Sequence, residues 1–339
     1  MSSTSVSDGI LKLATQYSLY TGCVIFSFGV IGNVLNLLVF TQFKQFRTNR
    51  CAFYITIESI SNLLYQFLTI SLTILTSISG DDATGRFFIW CKFKNILAQI
   101  CGLTTLYIIC FSAVDQFFST NHRFSLRQMC TLKLGRYFAF ILICFVIIHS
   151  IALGCSYDIQ PTLGCVPSNY VAVQYLTYFF YPVLIGFLPI AIASSFSMLA
   201  YHNVRRIVRR QLPIVRRKLD KQITAMVLMR VIAFVFLLLP FITYRIYTIN
   251  FPTSRSVSMT FAIGKLIQAI LTSIYIINYA INFYLFLIFS SRFRRQVKVV
   301  LVKKCWQRWK YWCCSINNRI EPGNIPETRN SQIESEENI

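Results

Sequence analysis

The sequence predicts an all-α bundle of seven transmembrane helices, followed by a short amphipathic helix on the membrane surface. Three observations support this fold class. Of the 339 residues, 55% are hydrophobic and only 13% are charged, about half the charged fraction of a soluble domain. Seven apolar runs are each long enough to cross a bilayer as a helix. The basic residues are concentrated in alternate connections between these runs.

Each apolar run contains the roughly 20 residues that a membrane-spanning helix needs, and none alternates as a membrane β-strand does. The predicted bounds are 18–43, 52–78, 92–117, 135–157, 172–200, 222–248 and 258–288. The predicted domains are an extracellular segment at 1–17, the membrane domain at 18–289, the amphipathic helix at 290–314 and a disordered cytoplasmic tail at 315–339.

Basic residues predict the orientation of the chain. Most of the 33 Lys and Arg residues lie in the first, third and fifth connections and after the seventh run. Cytoplasmic segments carry this excess, so we expect an extracellular N-terminus and a cytoplasmic C-terminus, in the plasma membrane. The net charge of +21 then reflects membrane topology and the anionic inner leaflet, or a specific partner, and does not indicate nucleic-acid binding.

The segment after the seventh run interleaves cations with apolar residues, as in a helix that lies on the inner leaflet. Cys305, Cys313 and Cys314 lie near its end. They are candidates for S-palmitoylation, and the alternative is that they are free cytoplasmic thiols.

Other functional classes find little support. None of the three His residues has a metal-binding spacing, and no Ser/His/Asp arrangement is visible. The paired repeats of a transporter are also not visible. We therefore expect neither an enzyme nor a bound metal or cofactor.

Several motifs occupy defined places in the runs: Gly32-Asn33 in the first, Cys91 and Asp115-Gln116-Phe117 at the two ends of the third, Phe234, Leu238 and Pro240 in the sixth, and Asn282-Phe283-Tyr284-Leu285-Phe286 at the end of the seventh. These motifs resemble the G-N pair, outer cysteine, D-R-Y, F-x-x-x-W-x-P and N-P-x-x-Y of rhodopsin-like (class A) G-protein-coupled receptors. The spacing between Cys91 and Asp115 also fits that family.

The resemblance implies a cell-surface receptor that passes the binding of an extracellular ligand to a heterotrimeric G protein by movement of its sixth helix. It also implies a disulfide between Cys91 and Cys165, because Cys165 lies in the second outer loop, where the environment is oxidising. The alternatives are two unpaired thiols, or pairing with Cys155, which we place in the fourth helix.

The resemblance places a cytoplasmic switch at Asp115, Gln116, Phe117, Asp220, Asn282 and Phe286. Gln116 replaces the Arg of D-R-Y and cannot form a charge-assisted pair with Asp220. A second function therefore stays open, namely a receptor-fold protein that does not couple to G proteins and acts as a decoy or partner subunit.

The resemblance also predicts a buried polar cluster of Asn33, Asn62, Thr105, Asn278 and Asn282. Asn62 stands where the family usually has Asp, so the sodium pocket loses its anion and we expect weak or no regulation by sodium. Buried amides in a membrane bundle seek one another, and a purely structural role is the alternative.

Two charged residues lie inside predicted spans, where unpaired charge is costly. Glu58 lies one turn before Asn62, and Arg230 lies ten residues before Pro240. In a receptor bundle both face the lower interior at similar depth, so we expect an ion pair that restrains the sixth helix. The alternative is that Arg230 extends to the inner headgroups.

The ligand side departs from two well-known receptor types. Ala98 stands where amine receptors have Asp, and Ile276 stands where opsins have the retinal-binding Lys. A peptide or another non-amine ligand is therefore favoured. The resemblance places a pocket at Gln99, Gly102, Tyr181, Phe241, Arg245, Thr272 and Tyr275. Arg245 in that pocket is suited to a carboxylate, and the alternative is that it extends to the outer interface.

Overall fold

The computed structural model describes residues 3–42, 50–79, 87–121, 123–129, 131–160, 164–207, 214–251 and 258–305. Residues 1–294 form one compact unit, and residue 295 begins a second. The first unit is a bundle of seven helical spans, which confirms the predicted all-α fold class.

Seven spans follow one another along the described parts of the chain. The first is Ser3–Gln42, and the second joins Arg50–Tyr65, the π-helical Gln66–Ile70 and Ser71–Ser79. The third is Phe88–Thr120, and after the short helix Phe124–Met129 the fourth is Leu132–Gly154. The fifth joins Tyr170–Tyr175, the π-helical Leu176–Phe187 and Leu188–Ile207. The sixth is Ile214–Asn250, and the seventh joins Ser258–Ile277 to Asn282–Phe289.

Within the described residues, six helices are long and apolar enough to cross a membrane, and they lie in six of these spans. The second span is not among these six. It is helical throughout and contains a π-helical turn. The chain is therefore a multi-pass membrane protein. We name the two ends of the bundle after Cys91 and Gln116, which lie near opposite ends of the third span.

The first helix begins at Ser3, well before the predicted start at residue 18. Residues 3–17 contain no Pro, so nothing in their backbone prevents a helix. Ser7 and Ala14 are two turns apart on one face, and both are buried. The Ser- and Thr-rich segment thus extends the first helix.

A disulfide joins Cys91 to Cys165 in the hairpin that follows the fourth span, which confirms the predicted pairing. The hairpin consists of antiparallel strands β1, Tyr157–Gln160, and β2, Gly164–Pro167, in which Ile159 pairs with Cys165. Cys155 follows the last residue of the fourth helix and is a free thiol. The disulfide therefore fixes the hairpin to the third span.

The seventh span is not one continuous helix as predicted, because residues 278–281 leave the α-helical pattern. The backbone N–H groups of Asn278, Tyr279 and Ala280 each donate to the carbonyl three residues earlier, at 3.0 Å. This tighter turn leaves carbonyl groups without their usual α-helical donors.

The second unit begins within the helix Ser291–Lys298, which is followed by the π-helical Val299–Cys305. The rest of the predicted surface helix and the predicted tail lie outside the described residues, together with Cys313 and Cys314. The side chain of Cys305 is also outside them.

Close packing around the second span generates a prediction about Gly29. A Cβ atom at this position would overlap Nε2 of Gln66, whereas one at Gly9 in the same helix would meet nothing within 4 Å. Gly29→Ala should lower the free energy of unfolding by about 2 kcal/mol, because it overpacks the interface and displaces a hydrogen-bonded side chain. Gly9→Ala is the matched control and should be neutral or slightly stabilising. Thermal unfolding in detergent measures both variants, and equal effects would contradict the prediction.

Candidate functional site

The irregular turn at residues 278–281 is held by side chains from other spans. Nδ2 of Asn33 and Nε2 of Gln66 both donate to the carbonyl oxygen of Tyr279, at 2.8 and 2.9 Å. Both side chains are completely or almost completely buried. The first and second spans therefore supply the donors that the broken helix lacks.

Arg230 of the sixth span is bonded to the same turn. Its Nη1 and Nη2 donate to the side-chain and backbone oxygens of Asn278, at 3.1 and 3.0 Å. Nε and Nη2 donate to one carboxylate oxygen of Glu58, at 3.0 and 2.8 Å. The exposed fractions of the Arg230 and Glu58 side chains are only 4% and 5%. The guanidinium is therefore inside the bundle and not at the membrane surface.

We call this arrangement of Asn33, Glu58, Gln66, Arg230 and residues 278–281 the polar junction. It connects the first, second, sixth and seventh spans. A buried charge in a membrane bundle requires a partner and several hydrogen bonds. All four hydrogen bonds of Arg230 end on oxygen atoms of this junction.

Of the other residues predicted for the polar cluster, two are connected to the polar junction by hydrogen bonds and one is not. Nδ2 of Asn62 donates to Asn33 at 3.3 Å, and the Thr105 hydroxyl donates to Asn62 at 3.0 Å. Asn282 is also buried, but both of its side-chain polar atoms lack a partner in the described structure. The sequence reasoning missed Gln66, although its position one turn after Asn62 in the same run was a usable signal.

Gln116 forms a neutral contact with the sixth span. Its Nε2 donates to the Thr224 hydroxyl at 2.6 Å, and both residues are buried. Thr224 lies one turn deeper than Asp220, the residue that the sequence had suggested. The side chain of Asp220 lies outside the described part of the chain.

Three of the remaining switch residues make contacts of their own with other side chains. Asp115 forms an ion pair with Arg50 of the second span, with 3.5 Å between Nε and Oδ2. Phe117 packs against Phe196 of the fifth span, with ring centroids 5.4 Å apart. Phe286 packs against two further rings, Phe40 and Phe293. A small cavity lies between the polar junction and these switch residues. Its lining includes Glu58, Ser112, Met226, Arg230 and Phe286.

Aromatic rings connect the Cys91 end to the polar junction. Phe241 stacks on Tyr275 with ring centroids 4.3 Å apart, and Tyr279 stacks on Tyr65 at 4.0 Å. The hydroxyls of Tyr275 and Tyr279 are hydrogen-bonded to each other. We call these four residues the aromatic column. A Cβ atom at Gly102 would lie 3.4 Å from the Tyr279 hydroxyl and 3.8 Å from the Tyr275 hydroxyl, at ordinary van der Waals distance.

Arg245 lies on the Cys91 side of Pro240 and contacts the fifth span. Its Nε donates to the Tyr181 hydroxyl at 3.3 Å, and its guanidinium carbon lies 5.4 Å from the centre of that ring. Tyr157 of β1 is buried at the same end, with 8% of its surface exposed. Burial raises the pKa of Tyr157 above its ordinary value, nearby Tyr181 raises it further, and Arg245 opposes the shift. The phenol therefore remains protonated and can donate a hydrogen bond.

Two further predicted pocket residues show no comparable contacts. Oε1 of Gln99 is buried and lacks a hydrogen-bond partner among the described residues. Thr272 is half-buried in the seventh span. In the described ranges, no three His, Cys, Asp or Glu side chains come together as metal ligands.

Comparison with known proteins places the chain in a family. The family model described as 7 transmembrane receptor (rhodopsin family) matches residues 32–291. This range covers most of the chain, from the Gly32-Asn33 pair to the end of the seventh span. A search of curated proteins finds no match. The chain therefore belongs to the rhodopsin family of seven-transmembrane receptors.

Proposed function

We propose that this receptor binds an extracellular, non-amine ligand at the Cys91 end and transmits that event to a heterotrimeric G protein at the Gln116 end. The positive-inside bias supports an extracellular N-terminus and a cytoplasmic C-terminus in the plasma membrane. The coupled change is outward movement of the sixth span. A ligand that binds the moved conformation more tightly shifts the population towards it.

The observation that carries this proposal is the placement of two arginines on the sixth span, on opposite sides of Pro240. Arg230 is bonded to the second and seventh spans, and Arg245 contacts the fifth. The helix continues through Pro240, where a backbone hydrogen bond is necessarily missing. A displacement of Arg245 is thus passed to Arg230 through one helix, whose backbone hydrogen bonding is weakened at Pro240.

Two contacts oppose the movement of the sixth span. One is the pair of Glu58 and Arg230, and the other is the hydrogen bond between Gln116 and Thr224. Breaking a buried ion pair is costly unless water or new partners replace its hydrogen bonds. The first contact therefore contributes most of the restraint, and it takes the place of the family's Arg–acid lock.

The alternative function is a decoy or partner subunit that does not couple to G proteins. Gln116 favours this alternative, because a neutral amide cannot supply the charge of the family's Arg to a G protein. For either function, we propose contact between the basic surface and the anionic inner leaflet. Palmitoylation at Cys305, Cys313 and Cys314 would strengthen this contact.

Guanine-nucleotide exchange on purified G proteins separates the two functions. We expect the receptor in lipid nanodiscs to accelerate GDP release by at least one G protein in the absence of ligand. Empty nanodiscs are the control. GDP release no faster than with empty nanodiscs for every G-protein class, together with no effect of Arg230 substitution, would support the decoy or partner-subunit function.

A double-mutant cycle tests the restraint. Glu58→Gln and Arg230→Gln should each raise basal exchange by about tenfold, because each leaves the other charge buried without its partner. The double variant should raise it by much less than the product of the two effects. Lys133→Gln removes an exposed cation and should leave basal exchange unchanged. Independent, multiplicative effects of the two substitutions would exclude a functional pair.

Gln116→Arg tests the switch triplet. An arginine restores the charge that the triplet lacks, and a charge-assisted contact is worth about 1 kcal/mol more than a neutral one. We expect a change of about fivefold in basal exchange, measured in the same nanodisc assay. If basal and stimulated exchange both stay at the wild-type rate, the triplet has only a structural role.

A further inference from the structure

Arg245 lacks an acidic partner within the described residues. Three of the described carboxylates are engaged elsewhere: Glu58 by Arg230, Asp115 by Arg50, and Asp158 by the backbone N–H of Ile159. The hydrogen bond of Arg245 to Tyr181 ends on a phenol hydroxyl and not on a carboxylate. A cation inside a membrane bundle without a counter-charge is energetically costly, and an anionic ligand would remove that cost.

Two phenols from different parts of the chain interact with this cation: Tyr181 accepts its hydrogen bond, and Tyr157 interacts with it electrostatically. Tyr181 belongs to the π-helical segment of the fifth span, and Tyr157 belongs to strand β1 of the hairpin. A guanidinium and two phenol hydroxyls can all donate hydrogen bonds, and a carboxylate accepts several. The donors of this cluster therefore match an oxyanion and reject an ammonium group.

The neighbouring surface fits an apolar body. Phe241 lies four residues before Arg245 in the same helix, so the two side chains share a face and are about 6 Å apart. Phe241 stacks on Tyr275, which extends the aromatic surface to the seventh span. A ligand with a carboxylate about 6 Å from an aromatic ring or alkyl chain would span these groups.

We propose that Arg245, with the hydroxyls of Tyr157 and Tyr181, binds the carboxylate of an organic anion whose apolar body lies against Phe241 and Tyr275. This inference rests on the proposed function, since it names the ligand class of the same receptor. The carboxylate would contact the hairpin through Tyr157, the fifth span through Tyr181 and the sixth span through Arg245. Ligand binding would then draw these three segments together.

Four small probes with related bodies test the ligand class on the purified wild-type receptor in detergent. They are 3-phenylpropionate, 3-phenylpropan-1-ol, 3-phenylpropylammonium and octanoate, each scored by the change in melting temperature. At a concentration about tenfold above the dissociation constant, 3-phenylpropionate should raise the melting temperature by about 3 °C. The alcohol should give less than half of that shift, and the ammonium should give none.

The two carboxylates distinguish the source of the anion. A larger shift with 3-phenylpropionate assigns the site to an aromatic acid, and a larger shift with octanoate assigns it to a fatty acid. Either result supports carboxylate recognition. Equal stabilisation by the ammonium and the carboxylate, or no stabilisation by either carboxylate, would overturn it.

Variants locate the binding site. Arg245→Gln should weaken carboxylate binding by at least about tenfold, because it removes the charge-assisted bonds. Arg245→Lys should retain part of the affinity, and Tyr157→Phe should weaken it by about threefold through loss of one hydroxyl. Lys265→Gln is the matched control, since it removes a cation from the seventh span at the same end and should leave the shift unchanged.

A retained shift in Arg245→Gln, or a shift lost in Lys265→Gln, would place the carboxylate elsewhere and overturn the proposal. If Arg245→Gln does not fold, Tyr157→Phe and the four probes on the wild-type chain still decide the outcome. No G protein is present in this assay. Failure of carboxylate binding is therefore distinguishable from failure of nucleotide exchange.

Discussion

The structure depends on one constraint, which is that an interrupted helix inside a membrane must have its carbonyl groups satisfied by protein. The seventh span is interrupted at residues 278–281, so its carbonyl groups there need donors from other parts of the bundle. Asn33, Gln66 and Arg230 supply the missing donors from three other spans. The turn thus links four spans, and the sixth span contacts it through the side chain of Arg230.

The charge of that side chain explains the rest of the polar junction. A neutral donor would satisfy the carbonyl of Asn278 without a counter-ion, but a guanidinium in the interior needs an anion. Glu58 is the nearby carboxylate, and it receives two of the four hydrogen bonds of Arg230. At the Gln116 end, by contrast, the contact with Thr224 is neutral. The sixth span therefore makes its charged contact in the core of the bundle and a neutral contact near the Gln116 end.

The sequence predicted those features that follow from composition and the cost of unpaired charge. The seven apolar runs predicted the seven spans. The cost of unpaired charge inside the spans predicted that Glu58 and Arg230 would pair. Features that depend on exact side-chain reach could not be predicted. Phe283 stands where a proline would have indicated the broken seventh helix, and no local signal distinguished Thr224 from Asp220. The burial of Tyr157 depends on how the disulfide places the hairpin, which is a property of tertiary structure.

Tyr279 is the residue through which the two ends of the receptor can affect each other. Its side chain belongs to the aromatic column, where it stacks on Tyr65 and bonds to Tyr275. Its carbonyl group belongs to the polar junction, where it accepts from Asn33 and Gln66. A shift of Phe241 and Tyr275 would therefore act on the same residue whose carbonyl group the polar junction holds. Binding free energies at two coupled sites are linked. If ligand binding changes the affinity for a partner that loosens the junction, that partner changes the affinity for the ligand by the same factor.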